Sequence, residues 1–465
     1  MSKMFAGARL RGLREDRGMN QVDLARALGI SPSYLNQIEH DSRPLTVPVL
    51  LRITEVFGVE ASFFSATGSA RLFAELREAL PTVPASELRE LAGSRPDTAK
   101  AVIDLHRRAQ QLDEQLSVVA GHRSTESVLG AHEHVRDFFY THANHFPDLD
   151  TAAERVAETT GIRPGEVRTS LANRLAEKHG VRIVDVAGDV SHHSTAGELH
   201  HYDAFTRTLR LSIHLRPGQQ AFRMATQVAL LEFGDALDDI AGTEDEGPVR
   251  ALVRIGLARY AAAALVLPYG AFHAAAERLR YDIELLSDHF AMGFETICHR
   301  LSTLQRPGAR GVPFSFVRVD RAGNVSKRQS ATGFHFSRSG GTCPLWSVYG
   351  AFAAPGRVLA QVAAMPDGQR HLWVTRTVSR SRAGYGAPGK TFAVGLGCEV
   401  RHAHRLVYSS GVDLEDVAAA TPIGPGCRTC DRPLCPQRAA PPLGKPLRVD
   451  ENRSTFVPYP LEARR

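Results

Sequence analysis

The sequence predicts a multidomain chain with three fold classes in succession: an all-α head, an α+β middle and an α+β, strand-rich C-terminal domain. Three observations carry this. At 465 residues the chain exceeds what one ordinary hydrophobic core organises. Apolar residues keep a helical period to about residue 65 and mix helix and strand periods over about 127–304. Beyond "QRPGARGVP" they alternate as strands with Gly-rich turns. A polar, Ala- and Glu-rich stretch broken by "LPTVP" and "SRPD" separates head from middle. The boundaries so read are 1–66, 67–126 as a helical linker, 127–305 and 306–465.

Composition narrows the class. With 43% apolar and 23% charged residues the chain reads as soluble and globular. No run of about eighteen uncharged apolar residues occurs, so no membrane span is expected. "YAAAALVLPYGAF", closed by Pro268, suits a buried helix. The opening "MSKMFAGARLRGLRED" lacks the apolar centre of a signal peptide, which points to the cytoplasm. There, clustered cysteines indicate metal or redox chemistry rather than disulfides. The net charge of +6 is carried mostly by arginine, which binds phosphate and carboxylate bidentately, and it permits an anionic partner without requiring one.

The head is the most specific stretch. Residues 22, 24, 25 and 28 form one apolar stripe of a short helix over Gln21–Leu28. Gly29 supplies a tight turn, Ser31 caps the next helix and Pro32 occupies its first position. Leu35 and Ile38 then point inward and leave Ser33, Tyr34, Asn36 and Gln37 on the outer face. Two helices joined in this way follow the helix-turn-helix plan. The stretch resembles the XRE/Cro family of repressor-type DNA-binding modules over about residues 8–62. That resemblance implies phosphate contacts from Gln21 and Arg43. It also implies major-groove contacts from Ser31, Ser33, Tyr34 and Gln37, with Asn36 on the same DNA-facing surface. Residues 1–70 carry eight basic and seven acidic side chains, so base reading and pairing of subunits must supply much of the affinity.

In the middle, "LRLSIHLRPGQQAFRMATQVALLEFG" and "IGLARYAAAALVLPYGAF" resemble the ImmA/IrrE metallopeptidase-like domain, a zincin-like fold. Its members carry His-Glu-x-x-His on one helix, the histidines holding zinc and the Glu acting as base. The matching positions here are Thr226, Gln227 and Leu230, and the downstream carboxylate falls near Ile255. The domain is therefore expected to be degenerate and without hydrolytic activity; the alternative is a metallopeptidase acting on a repressor. "SHHSTAGELHHYD" offers His192, His193, His200 and His201. Adjacent residues on a strand face opposite sides, so one of each pair at most could face a common ion, and surface positions are expected.

The C-terminal strands are marked by turns at Ala322–Asn324 and Pro366–Gly368, with a further pair in "GAPGKTFAVGLGCEVRHAHRLVY". Domain order, the degenerate peptidase helix, "CPLW", "GYGAPGKTFAVGLGCEVRHAHRLVY" and "PIGPGCRTCDRPLCPQRA" together resemble the short-chain fatty-acyl transcriptional regulators. The resemblance spans nearly the whole chain. It implies a regulator of acetate, glyoxylate, propionate or methylcitrate metabolism. Its C-terminal domain would sense a short-chain acyl-CoA beside an iron–sulfur cluster. Operator DNA, the acyl-CoA and a dimeric or tetrameric assembly are the implied partners. A redox sensor without an organic effector is the alternative.

Cys427, Cys430 and Cys435 form C-x2-C-x4-C, with no histidine from Gly424 onward. Three local thiolates and one remote cysteine suit an iron–sulfur cluster of 4Fe–4S type better than zinc, which stays the rival. Proline follows both Cys435 and Cys343, which makes Cys343 the first choice for a fourth ligand and Cys398 the second. Cys298 reads as a core residue. An acyl-CoA needs cations for its phosphates and an apolar slot. Arg376, Arg380, Arg382 and Lys390 lie in or beside a Gly-rich stretch, and Tyr385 and Trp346 are placed to line the slot or stack on adenine.

Overall fold

A computed structural model describes residues 7–40, 42–58, 66–119, 128–187, 198–242, 247–331, 334, 342–380, 389–430, 432–442 and 447–460. The chain forms two compact units. One takes Met1–Ser124, Gly333–Cys343 and Gly424–Arg465, the other Thr125–Thr332 and Pro344–Ile423.

In the first unit, helices α1 (Gly7–Asp16), α2 (Gln21–Ala27), α3 (Pro32–Glu39) and α4 (Val47–Phe57) close on a small core that includes Leu10, Leu24, Leu28, Leu35, Ile38 and Ile53. Leu24, Ala25 and Leu28 are buried as their spacing requires, but Val22 is 51% exposed. At about 100° per residue Val22 lies on the margin of the stripe, well round the helix from Leu24 and Leu28. Within the stretch read as 67–126, the described residues form three helices. Helices α5 (Ala66–Ala79), α6 (Ala85–Ser94) and α7 (Pro96–Val119) pack on their own core of Leu76, Leu88, Ala92, Ala99 and Ile103.

The second unit begins with α8 (Val128–Thr141), α9 (Pro147–Thr160) and α10 (Val167–His179). A small sheet follows, from β1 (Arg182–Val186), β2 (His200–Asp203) and β3 (Thr208–Ser212). Its order is β1-β3-β2, with β1 parallel and β2 antiparallel to β3. Helices α11 (Pro217–Glu232), α12 (Gly234–Ala241), α13 (Pro248–Val266), α14 (Tyr269–Arg278), α15 (Ile283–Phe290) and α16 (Phe294–Leu301) come next. Residues 260–267, the "YAAAALVL" run, are buried, which is why an Ala-rich helix is stable there. No single helix among the described residues is long and apolar enough to cross a membrane.

The larger sheet is built from β4 (Ser315–Val319), β5 (Val325–Ser330), β6 (Leu359–Ala364), β7 (Arg370–Arg380), β8 (Lys390–Glu399) and β9 (Thr421–Pro422), with short helices α17 (Ser347–Gly350) and α18 (Val400–Ala403). Its order is β5-β4-β8-β7-β6-β9. The two hairpins read from turn residues are present, β4–β5 and β6–β7, both antiparallel. Asp320 Oδ1 accepts from the N–H groups of Ala322 and Asn324 and fixes the first turn. One core runs from Leu209, Met224 and Leu257 to Phe316, Leu372 and Val394. The segments expected over 127–305 and 306–465 thus share it, and the chain beyond Gly424 clusters with the first unit instead.

Glu232 ends α11 as the hub of a charge cluster. Arg174 binds it bidentately at 2.6 and 2.7 Å, Lys178 Nζ lies at 2.8 Å and His179 Nε2 at 3.0 Å. Burial opposes the carboxylate, but these donors outweigh it and hold the group at about 2. A depressed carboxyl contributes stability above its ordinary pKa and loses it as pH falls toward the folded value. Glu232→Gln is therefore expected to flatten the fall in urea midpoint between pH 4.5 and about 2, followed by circular dichroism. Parallel acid profiles in the two proteins would refute this.

Candidate functional site

The head assembles from local signals. Asn20 Oδ1 accepts from Asp23 N at 2.9 Å and opens α2. Gly29 takes φ 64° at the turn, and Arg52 Nη1 donates to the Leu28 carbonyl at 2.9 Å to hold it. Ser31 Oγ accepts from Tyr34 N at 3.1 Å, with Pro32 at the first helical position of α3. Leu35 and Ile38 are buried, whereas Ser33, Asn36 and Gln37 are exposed and Tyr34 is half-buried. The Arg43 guanidinium lies 5.4 Å from the Tyr34 ring centre.

Two predicted contact residues also have internal work. The Ser31 hydroxyl is the cap. The Gln21 amide donates to Asn36 Oδ1 at 3.1 Å and to Glu39 Oε2 at 2.7 Å. The sequence reading missed Glu39, 2% exposed, which Arg14 grips through Nε at 2.7 Å and Nη2 at 3.2 Å. This pair and Gln21 lock α3 against α1 and α2. A signal existed: Glu39 follows Leu35 by four residues and so shares its buried face, where a carboxylate demands a cation.

On α11, Thr226 and Gln227 are buried, and Thr226 Oγ1 donates to the Phe222 carbonyl at 2.8 Å. Leu230 is half-buried and Ile255 on α13 is 42% exposed. These side chains fill and border a core rather than hold a metal. His200 is half-buried and His201 exposed, on opposite faces of β2 as the pleat dictates. His192 and His193 lie outside the described residues. Among the described residues no three His, Cys, Asp or Glu side chains form a group that could hold a metal ion.

The C-x2-C-x4-C loop wraps a residue that the sequence reading passed over. Arg438 is 4% exposed. It donates to the carbonyls of Cys427 at 2.7 Å, Cys430 at 3.1 Å and Arg432 at 2.6 Å. Ala439 N donates to Cys427 Sγ at 3.4 Å. A Cβ on Gly424 would meet Cys430 Sγ at 2.5 Å, so only glycine fits beside that sulfur. The three soft sulfurs lie in one loop and one of them receives a main-chain N–H, which is the donor type a thiolate-held cluster uses, but among the described residues the structure does not draw them together as a metal-holding group. Cys343 is buried and belongs to the same compact unit as this loop, whereas Cys398 belongs to the other. Burial pushes the Cys398 thiol up to about 12 and Cys298 well above its ordinary value, and both lie in the core of the second unit.

Of the predicted effector residues, the side chains of Trp346, Arg376 and Lys390 are described. Trp346 is 3% exposed and sits edge-on to Trp373 at 4.7 Å, a core position rather than a slot wall. The Gly-rich β8 serves that core too, since a Cβ on Gly397 would meet the Trp373 indole at 2.6 Å. Arg376 is half-buried, with Nη1 3.1 Å from Glu284 and its guanidinium 5.2 Å from the Phe294 ring centre. Lys390 is exposed, opposite Arg380 where β7 ends and β8 begins. Arg382, Tyr385 and the Arg380 side chain lie outside the described residues.

Comparison with known proteins agrees with this order of parts. A helix-turn-helix family model matches residues 10–64, an IrrE N-terminal-like domain matches 176–302, and "Short-chain fatty acyl coenzyme A regulator, C-terminal" matches 303–459. The HTH-type transcriptional regulator RamB of Mycobacterium tuberculosis is 54% identical, covering 99% of each chain. PrpR of the same organism is 48% identical over 98% of this chain and 96% of that one. The propionyl-CoA carboxylase regulator of Cereibacter sphaeroides is 41% identical over 99% of both. A solved structure titled Mycobacterium tuberculosis transcriptional regulator is 50% identical. It has a TM-score of 0.67 and covers 71% of this chain and 99% of its own. With a helix-turn-helix head, an IrrE-like middle and relatives this similar along their full length, the chain belongs to the short-chain fatty acyl coenzyme A regulators, a family of DNA-binding transcription regulators.

Proposed function

We propose that this chain regulates genes of short-chain fatty acid metabolism from the cytoplasm as a dimer or tetramer, binding operator DNA through α3 under control of a short-chain acyl-CoA. The observation that carries the reading is the presentation of α3. Its cap and its buried Leu35, Ile38 and Glu39 hold it firmly, while Ser33, Asn36 and Gln37 are exposed at its surface. A helix so held can enter a major groove and offer hydrogen-bonding side chains to base edges. The relatives' names support the metabolic setting, and Thr226, Gln227 and Leu230 support a middle domain without hydrolytic activity.

Cys427, Cys430, Cys435 and Cys343 would hold a 4Fe–4S cluster. Such a group supplies a redox-active cross-link between the loop and the rest of its unit. The chain's own part is to present the sulfurs: Arg438 gathers the loop carbonyls and Ala439 N steadies Cys427 Sγ. Anaerobically purified protein is expected to carry about four iron and four sulfide per chain, lost in Cys427→Ser and Cys435→Ser. Zinc at about one per chain without iron would replace the cluster with a zinc site.

The effector must bind DNA-competent and incompetent states unequally, or it shifts nothing. The test is operator anisotropy, using a fragment that the protein enriches from sheared genomic DNA, titrated anaerobically with acetyl-, propionyl- and free CoA. A shift in operator affinity with acyl-CoA is expected. Identical affinity in all three would overturn effector control.

A further inference from the structure

Helix α7 carries two apolar stripes, and its own three-helix module is built on one of them. Ala99 and Ile103 are buried in the module core with Leu76 of α5 and Leu88 of α6. Arg107 lies beside them and reaches Glu75 of α5 at 2.9 Å. The other stripe opens in solvent, with Leu105 65% exposed and Ala109 exposed. In the sequence it continues at Leu112, Leu116 and Val119, to the last residue of the helix. At about 100° per residue these five positions share an arc of about 80°, and Ile103 lies about 160° from Leu105. The stripe is therefore distinct from the face built into the module core.

The spacing says what covers such a stripe. Its steps alternate four and three residues, a period of about 3.5. A helix lying on a globular core shows a wider stripe of 3.6-residue period. The strict 3.5-residue seam is met by a second helix of equal spacing, knob into hole. The flanks select that second helix. Arg108 stands just before the seam position 109, and Asp113 just after the seam position 112. Five residues apart, they lie about 140° from each other round one helix and cannot pair within it. In two parallel copies in register, Arg108 of one copy neighbours Asp113 of the other, and two-fold symmetry repeats the match. An antiparallel pair sets each flank against its own kind and loses it. The chain thus complements a second copy of itself.

We propose that α7, from Leu105 to its end, pairs with the same stretch of a second copy as a parallel two-stranded coiled coil. The proposal rests on the reading of the chain as a dimer or tetramer, and it names the seam. That seam is short and includes an alanine, so it supplies part of the association and fixes its direction. It also bears on DNA. The module of α7 meets the head, where Arg95 after α6 lies 3.3 Å from Glu15 of α1. Parallel α7 helices therefore bring two heads to the same end of the seam, as neighbouring operator half-sites require.

The experiment uses the full chain. Sedimentation velocity gives its assembly, and cross-linking by disulfide exchange with oxidised glutathione asks whether the seam is part of it. Leu105→Cys and Leu112→Cys should each cross-link two copies well above wild type, whose six cysteines set the background. Glu114→Cys, about 180° round the helix from Leu105, should stay at that background. Adding Arg108→Glu to Leu105→Cys should slow cross-linking about two- to fivefold, and adding Asp113→Arg as well should restore it. An assembled wild type with no cross-link at 105 or 112, or with equal cross-linking at 114, would overturn the seam and leave the assembly reading standing. Cross-linking without rescue by the charge exchange would overturn the parallel register. A monomeric wild type that still cross-links at both positions would keep the seam and remove the stable assembly. A monomer that cross-links at neither overturns both.

Discussion

Asp150→Ala is expected to cost the second unit about 3–5 kcal/mol of unfolding free energy, the largest loss from any single change considered for this chain. Asp150 and Arg300 are both 0% exposed and lie 2.8 Å apart. The carboxylate also accepts from Tyr260 Oη at 2.9 Å and has His145 Nε2 at 3.2 Å. Arg300 spends its other donors on the Leu267 carbonyl at 3.1 Å and Thr303 Oγ1 at 3.2 Å. Burial alone would raise the Asp150 pKa; the Arg300 charge and the surrounding hydrogen bonds reverse that and lower it. Removing the carboxylate leaves a guanidinium buried with only neutral acceptors, and a charge without its counterion is what makes such changes severe. Arg300→Met should be severe for the mirror reason. Asp150→Leu combined with Arg300→Met should recover much of the loss, since no charge is then stranded. Urea unfolding of the three variants measures this; a single variant as stable as wild type would show the pair to be dispensable.

That pair also shows where the sequence stops being legible. Its members are separated by 150 positions, and nothing local marks either one. The head is the opposite case. Asn20, Gly29, Ser31 and Pro32 act within a few residues of where they stand, so caps and turn could be read directly. Hairpins β4–β5 and β6–β7 were legible for the same reason. Glu39 lies between these cases, because its buried face follows from spacing while its partner Arg14 is 25 residues away. Trp346 misled because a tryptophan in a loop after Cys-Pro-Leu looks available to a ligand, and only Trp373, on a distant strand, makes it core. The change to strand periodicity beyond residue 306 marks a change in local structure. It does not mark a change of core, because Phe316 and Val394 pack into the cluster that includes Met224 and Leu257.

Gln37→Ala is expected to weaken operator binding by about 5- to 150-fold, the range of about 1–3 kcal/mol for one base-reading side chain, while leaving the head folded. Gln37 is exposed, and no side-chain hydrogen bond ties it to the protein among the described residues, so its amide is free for a base edge. Asn36 differs, since its Oδ1 already accepts from Gln21, and Asn36→Ala should weaken binding and loosen the module together. Glu39→Ala should act through the fold: Arg14 and Gln21 lose the carboxylate that joins α3 to α1 and α2, and operator binding falls with the melting temperature of the head. The three variants separate recognition from scaffolding. If α3 reads bases, Gln37→Ala also relaxes discrimination at one operator position, with little change in salt dependence, because no phosphate contact is lost. A uniform loss across sequences with a shallower salt slope would place Gln37 on the backbone instead and shift base reading toward Ser33 and the half-buried Tyr34. Equal affinity in wild type and Gln37→Ala would remove this residue from the interface.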